Sequence, residues 1–411
     1  MQQQPYRFVI AGLLIFFNLS YGANFAAVAP ILSLVMEDYD VSRGEASLLI
    51  SAVLIIQAVL IIPGGMLVAR FPIKPIFSLG WLMAGAMTLA VLADHFLVLL
   101  FLRVISGLAF VLIMPATAPI LMRWFSRREL PLINSLNMTF FTLGIGVGAF
   151  TAAPISLWIG WQSTLSIFGG VLVAGSLGWA FFARIPPAPE PSMSRVSLRE
   201  MWSLMRSKTI LLLGLGDGAA FAQYMALTTW LPTYYSQVLG MSLTKAGSTV
   251  GLIPIVGVFA ALAGGVLSAR MGVRRPFFII SGLMVGLAGF GSFAFDNEAL
   301  IYVSMVVLGI TSFLYLPALL TVPMELEGAT EGNVAVAWAT IFAIASTLAV
   351  IAPITVGFMT DALGSYIPAF TLWAVLAWGL LIAGLMLPET GPGARRFTRK
   401  FRLGPGSADS G

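Results

Sequence analysis

Residues 64–74 read GGMLVARFPIK and residues 264–274 read GGVLSARMGVR. At an offset of 200 positions the two share Gly64/Gly264, Gly65/Gly265, Leu67/Leu267, Ala69/Ala269 and Arg70/Arg270, and Lys74/Arg274 keep the charge. Each copy closes a long apolar run with small residues and then turns cationic, as a membrane helix does on reaching the cytoplasm. Carried back towards residue 24, the alignment adds Ala26/Ala226, Ser42/Ser242, Ala46/Ala246 and Ile55/Ile255. Self-similarity on this scale implies a duplicated architecture.

The composition says what is duplicated. Of 411 residues, 59% are hydrophobic and 9% charged, with mean hydropathy +0.96. Soluble domains carry about 25% charged residues, so a soluble globule is excluded. A spanning helix takes ~20 apolar residues. Twelve runs meet that length, at 8–36, 46–69, 75–93, 96–122, 131–158, 161–183, 209–238, 244–269, 276–295, 299–322, 333–358 and 365–387. The expected fold is an all-α membrane protein with twelve transmembrane helices in two pseudo-symmetric six-helix bundles. The first run is too long for the apolar core of a signal peptide and should remain as the first helix.

Twelve spans put both termini on one side. Of 22 Lys and Arg, Arg43 and Lys245 fall in loops on the opposite side and Arg103 lies inside the fourth span, which leaves 19 on the side of the termini. That bias makes the termini cytoplasmic. The acidic loop with Glu325, Glu327 and Glu331 is the exception, and acids weigh little in the rule. The expected division is an N-terminal bundle at 1–184, a cytoplasmic linker at 185–207, a C-terminal bundle at 208–390 and a basic cytoplasmic tail at 391–411. In the linker, Ser197 and Glu200 have the spacing of a capping box ahead of Leu198, Met201, Trp202 and Met205, as in a short amphipathic helix at the membrane surface. Ser42 and Glu45 have the same spacing at the start of the second span. The tail carries Arg395, Arg396, Arg399, Lys400 and Arg402 and should fix orientation or meet anionic lipid.

Several chemistries drop out. There is no cysteine, hence no disulfide, thiolate ligand or thiol catalysis, and the one histidine, His95, stands in a turn without a cluster. No metal site, cofactor, triad or carboxylate pair is legible, so an enzyme is not expected. No basic patch interleaved with aromatics points to nucleic acid. The glycine pairs Gly144/Gly148 and Gly247/Gly251 read as close helix crossings, not as a phosphate loop.

An ionisable group inside a membrane helix costs ~2.5–3.5 kcal/mol on insertion scales and is by default a functional candidate. Two stand out: Arg103 in the fourth span and Asp217 in the seventh. Asp217 lies in GLGDGAA, whose glycines suggest a locally unwound backbone. Around them are Asn18, Tyr21 and Asn24 at i, i+3, i+6 in the first span, Tyr224 on the face of Asp217, Tyr315 in the tenth and Trp338 in the eleventh. Counted from the helix ends at 1.5 Å per residue, Arg103 and Asp217 differ in height by roughly 7–8 Å. Direct pairing would need the full arginine stem, a water or a conformational change. Arg103 reads either as a solute-binding cation or as a brace bonded to helix carbonyls.

Two six-helix halves joined by a hydrophilic loop resemble the major facilitator superfamily, over roughly residues 8–390. The paired segments at 64–74 and 264–274 look like its loop motif after helices 2 and 8. Leu102, Arg103 and Gly107 resemble its helix-4 motif, GIGVGAFTAAP at 144–154 a loosened helix-5 glycine–proline motif, and Pro388-Glu389-Thr390 the sequence often found after helix 12. The flavour is faintly similar to the cyanate and nitrate permease branches, without the arginines of nitrate porters in helices 2 and 8. The loop motif departs too, with Ala69 and Ala269 where the family carries an acid and Pro72 where it carries a glycine. The resemblance implies a gating role for Gly65, Arg70, Lys74, Gly265, Arg270 and Arg274, which here must rest on helix C-terminal carbonyls instead of that acid. It also implies that helices 1, 4, 7 and 10 line a central cavity.

The expected function is a secondary active transporter working by alternating access, proton-coupled through Asp217. Its solute would be small and organic, a monoanion or weakly polar compound in preference to a polyol, met by Arg103. The alternatives are an uncoupled facilitator or drug exporter and, in another class, a non-transporting membrane receptor. The expected partners are the solute, a proton and the lipid bilayer; the expected state is a monomer in the plasma (inner) membrane. Reporter fusions at Gly411 and between residues 190 and 195 are expected to report cytoplasm, and an extracytoplasmic signal from either overturns this topology.

Overall fold

The computed structural model describes residues 6–125, 129–186, 204–326 and 331–391. Its twelve membrane-length helices are α1 (Tyr6–Tyr39), α2 (Arg43–Arg70), α3 (Ile73–Leu92), α4 (Phe96–Trp124), α5 (Leu130–Ile159), α6 (Trp161–Phe182), α7 (Lys208–Gln237), α8 (Leu243–Met271), α9 (Arg275–Ala294), α10 (Glu298–Glu325), α11 (Glu331–Leu363) and α12 (Ile367–Met386). They match the twelve apolar runs within a few residues. The capping box expected at Ser197 and Glu200 and the cationic cluster of the tail lie outside the described residues.

The duplication is visible in the packing. α1 packs on α5 as α7 packs on α11, α2 on α4 as α8 on α10, and α3 on α6 as α9 on α12. Equivalent residues do equivalent work. Ser42 caps α2 by accepting from the Glu45 amide, with Glu45 returning a bond to the Ser42 amide, and Ser242 caps α8 by accepting from the Lys245 amide. Gly64 of α2 lies against the Val111 carbonyl of α4, and Gly264 of α8 against the Leu314 carbonyl of α10. A methyl at either glycine would collide with backbone. Small residues that let helix backbones meet are the main adhesive between helices in lipid, where burial of apolar surface gives no net drive.

The copies differ where their sequences do. α8 ends on Gly272 at φ 64°, a left-handed cap whose amide bonds the Ser268 carbonyl. Position 72 is proline, which cannot take that conformation, so α2 ends on an extended Phe71 and Pro72 leads into α3.

Among the described residues four helices depart from regular α-helix: α3 tightens to a 3-10 helix over Gly85–Leu92, and three others break. α1 is regular to Ala26, passes a tight turn at Ala29–Ile31 containing Pro30, and resumes at Leu32. α10 breaks at Tyr315, two residues before Pro317, and α12 between Leu376 and Gly379. α7 is not among them, and this corrects the sequence reading: GLGDGAA is regular helix. Its glycines serve packing, with Gly214 and Gly218 against the backbone of α11 at Ile341 and Ala345, and Gly216 against α12 at Ala383.

The halves meet most firmly at the end opposite the termini. There Gly247 and Gly251 of α8 rest on Ala149 and Phe150 of α5, while Gly144 and Gly148 of α5 face Leu19 and Ala23 of α1. Both glycine pairs therefore sit at helix crossings. Beside them Asp361 of α11 accepts from the Gly44 amide at the start of α2, 2.8 Å, and pairs with the Arg43 guanidinium at 3.5 Å. Arg43 also donates to the Tyr366 hydroxyl at 2.8 Å and to Gln237 at 3.4 Å, so α2 is tied to the ends of α7 and α11. Half-exposed pairs of this kind contribute about 0.2–1 kcal/mol each, and a bond to an amide about 1 kcal/mol. Asp361→Ala is therefore expected to raise the population with this end open by about fivefold. The cysteine-free chain allows a clean test with spin labels at positions 40 and 363. The variant should gain a longer-distance component that the parent lacks, and an unchanged distribution counts against the tie.

Candidate functional site

The break in α1 decides where Arg103 goes. The last four carbonyls of a helix have no partner within it, and in the first segment of α1 these include Asn24 and Phe25. Arg103 of α4 is 1% exposed and covers them: Nη1 donates to the Asn24 carbonyl at 3.2 Å and Nη2 to the Phe25 carbonyl at 2.8 Å. Nε donates to the Leu49 carbonyl of α2 at 3.0 Å, and the guanidinium lies 5.6 Å from the centre of the Phe25 ring. A cation at a helix C-terminus is favourable in its own right. The planar fork of arginine serves three carbonyls on two helices at once, which a lysine point charge cannot.

Around it the other candidates of α1 are bound within the N-terminal half. Asn24 donates to the Ser106 hydroxyl at 3.3 Å and Tyr21 to the Ser106 carbonyl at 3.2 Å, while Asn18 donates to Asn137 of α5 at 2.9 Å. This is a buried network inside one bundle.

Asp217 sits in the other bundle and does not pair with Arg103. It accepts a hydrogen bond from the Tyr315 hydroxyl at 2.7 Å. Tyr315 reaches it because α10 breaks at that residue: Pro317 has no N–H, so the helix cannot run on regularly, and the tyrosine is turned towards α7. The two residues open on a cavity of about 190 Å³ lined also by Tyr224, Phe221, Ser312, Phe313, Phe342 and Leu316. The hydroxyls of Tyr224 and Ser312 are buried and find no partner among the described residues. None of the described lining residues is cationic. Tyr224 also borders a smaller space of about 40 Å³ between the halves, closed by Phe25, Ile50 and Ile145 on one side and Thr229 and Pro254 on the other. The structure thus gathers Asp217, Tyr224 and Tyr315, adds Ser312, and leaves Trp338, partly buried on α11, outside the cavity lining. Ser312 gave no sequence signal, since serine is common in membrane helices; only its place three residues before Tyr315, on the helix that faces Asp217, marks it.

The cationic segments after α2 and α8 divide. Arg70 and Arg270 are exposed, and no ion pair reaches either among the described residues. Lys74 is partly exposed, Gly65 falls in the last turns of α2, and a methyl group on Gly265 would meet Pro317 of α10 at 3.8 Å. Arg274 is the buried one, 7% exposed. It forks onto Glu325 of α10 at 2.8 and 3.3 Å and donates to the Ser268 hydroxyl at 2.9 Å, and its amide donates to Glu389 at 2.7 Å. The acid that the motif lacks at Ala269 is supplied here from α10 and from the segment after α12. The helix-carbonyl partners expected for Arg70 and Arg270 are found instead at Arg274, on the Ser268 carbonyl, and at Arg275, on those of Gly384 and Leu385. The acidic exception to the charge bias is thereby explained for Glu325. His95 is exposed at the start of α4.

The Major Facilitator Superfamily profile matches residues 14–350. The probable sulfoacetate transporter SauU of Cupriavidus necator is 25% identical over 398 residues, covering 89% of this chain and 89% of that protein. The D-galactonate transporter of Escherichia coli is 23% identical over 402 residues, covering 85% of this chain and 89% of that protein. Among solved structures, a bacterial homologue of the human lysosomal transporter Spinster, inward-facing and unoccupied, superposes with a TM-score of 0.76 at 17% identity, covering 98% of this chain and 100% of that one.

Replacing Arg103 by lysine keeps the charge but leaves at least one buried carbonyl unserved, at about 1–3 kcal/mol. Arg103→Lys should lower the melting temperature of the purified protein measured without any solute, and Arg103→Ala should lower it further. Equal melting of all three proteins would deny the arginine its bracing role.

Proposed function

Because the chain belongs to the Major Facilitator Superfamily, we propose that it is a proton-coupled secondary transporter of a small organic anion, working by alternating access across a plasma (inner) membrane with its termini cytoplasmic. The family consists of multi-pass membrane transporters and not of enzymes. The anion class is carried over from the sulfoacetate and galactonate relatives. One observation supports the coupling: a single carboxylate, Asp217, facing a cavity inside a bundle with a tyrosine partner and no cation. At residue 10 of α7 it lies about 14 Å along the helix from the cytoplasmic end, at 1.5 Å per residue. A group in that place can exchange a proton with whichever side the cavity opens to, and its charge costs least when water or a counter-charge is present.

In this reading the tie between Arg43, Asp361 and Tyr366 closes the outer end, and the cavity communicates with the cytoplasm. The conversion between states would break that tie and bring the cytoplasmic ends of α2 and α8 towards the other half. Arg103, with its donors committed to carbonyls, supports α1 and α2 while they move as part of one body. The solute's polar group is then left to Asp217, Tyr224, Ser312 and Tyr315.

Asp217→Asn removes the titratable group and keeps a hydrogen-bonding side chain of the same shape. In proteoliposomes it is expected to abolish accumulation driven by a pH gradient while solute exchange, though weakened, remains measurable. If the variant still concentrates solute with a pH gradient as the sole driving force, Asp217 is not the coupling group.

A further inference from the structure

The chemistry of the Asp217 cavity narrows the solute. Its walls are Phe221, Phe313, Phe342, Leu316 and Ala345, and the polar residues lining it are Asp217, Tyr315, Tyr224 and Ser312. Tyr315 is already committed to Asp217. A polyhydroxylated acid would give up water at each hydroxyl and find two free hydroxyls to replace it, which is unfavourable for every group left without a partner. An aromatic body finds faces and edges of three phenylalanines and a tyrosine. The size agrees. An apolar cavity of about 150 Å³ admits benzene, and about 190 Å³ leaves room for a ring with one small polar substituent.

The charge of that substituent follows from what faces Asp217. The titratable groups around it are Tyr315 of α10 and Tyr224 of its own helix. α11 presents Phe342, Ala345 and Leu348, and α12 presents Ala383 and Leu380. The embedded cation, Arg103, is bound to carbonyls in the other half. Two carboxylates side by side in such surroundings cannot both be ionised, and one proton shared between them removes the conflict.

Resting on the transporter reading above, we propose that the solute is a monocarboxylate carried on an aromatic ring or a comparably apolar body, bound as an acid pair in which its carboxyl and Asp217 share one proton. No covalent bond changes. The proton comes from water on the side where the solute enters and leaves with it on the other, so one anion and one proton cross together. Tyr224 and Ser312 supply the remaining donors, and the ring lies among the phenylalanines. This departs from the names of the sulfoacetate and galactonate relatives and agrees with that of a 4-hydroxybenzoate transporter of Pseudomonas aeruginosa, 24% identical over 324 residues.

The test is calorimetry of the purified full-length protein with benzoate in two buffers of different ionisation enthalpy, which counts protons taken up per solute bound. The parent should take up one proton per benzoate, and its affinity should fall about tenfold per pH unit where the free carboxyl is ionised. Whatever affinity Asp217→Asn retains, its benzoate binding should show no proton uptake and no such slope, and parent-like proton uptake by the variant overturns the acid pair. Benzoate binding without proton uptake by the parent overturns the acid pair. Failure to bind millimolar benzoate overturns the solute class, as does binding of galactonate, sulfoacetate or benzylamine in preference to it. Proteoliposome uptake separates the two levels. Accumulation of galactonate or sulfoacetate, but not benzoate, under a pH gradient leaves the transporter reading standing and removes this one. Proton-linked benzoate binding without any uptake does the reverse.

Discussion

Inside a bilayer no water is at hand for a carbonyl, an amide or a charge, so each must find its partner in the protein. The other features of this chain follow from that constraint. Helices that run unbroken satisfy themselves. Where one is interrupted, carbonyls come free and another residue has to reach them. The interruption of α1 near Pro30 exposes the carbonyls of Asn24 and Phe25, and Arg103 fills the need. An arginine in a membrane helix is costly to desolvate, and here the cost is offset by three bonds to carbonyls, two of which, those of Asn24 and Phe25, are left without a helix partner by the break in α1.

The same constraint explains the contrast between the halves. In the N-terminal half the embedded charge is enclosed and its donors are used. In the C-terminal half the embedded charge faces a cavity with a single partner, and two neighbouring hydroxyls have none among the described residues. Asn24 Oδ1 in the N-terminal half is also buried without a partner among the described residues, so what sets the C-terminal site apart is the cavity that Tyr224 and Ser312 line beside Asp217. The break in α10 works differently from that in α1. It turns Tyr315 onto Asp217 and leaves Gly264 of α8 to close against the Leu314 carbonyl.

Small residues carry the rest of the architecture. Gly64 and Gly264 sit at the corresponding α2–α4 and α8–α10 crossings, which is why both copies of the repeated segment keep them. The glycines flanking Asp217 let α11 and α12 approach α7 closely, placing a regular stretch of helix, and the carboxylate on it, at the centre of its bundle. At the end opposite the termini, Gly357 of α11 lies against the Arg43 carbonyl, so backbone contact and the Asp361 cap occur at one place.

The amino-acid sequence by itself determined the number of spans, the duplication and the two embedded charges. Each depends on local composition: apolar length, a repeat at a fixed offset, and the rarity of Arg and Asp in lipid-facing helices. It also made Asn18, Tyr21, Asn24, Tyr224 and Tyr315 candidates, but without saying which of them share a space. That was decided by tertiary structure. Whether Arg103 meets carbonyls or a solute depends on which helix ends nearby, and that end lies about 80 residues earlier in the chain. Whether GLGDGAA unwinds depends on whether neighbouring helices use its glycines as contacts, which helix propensity does not reveal. The carboxylates that hold Arg274 come from positions 325 and 389, and Ser312 becomes significant through the break beside it. Patterns of apolar length are read within one helix; partners for buried polar groups are found across helices, and only the packed bundle brings those together.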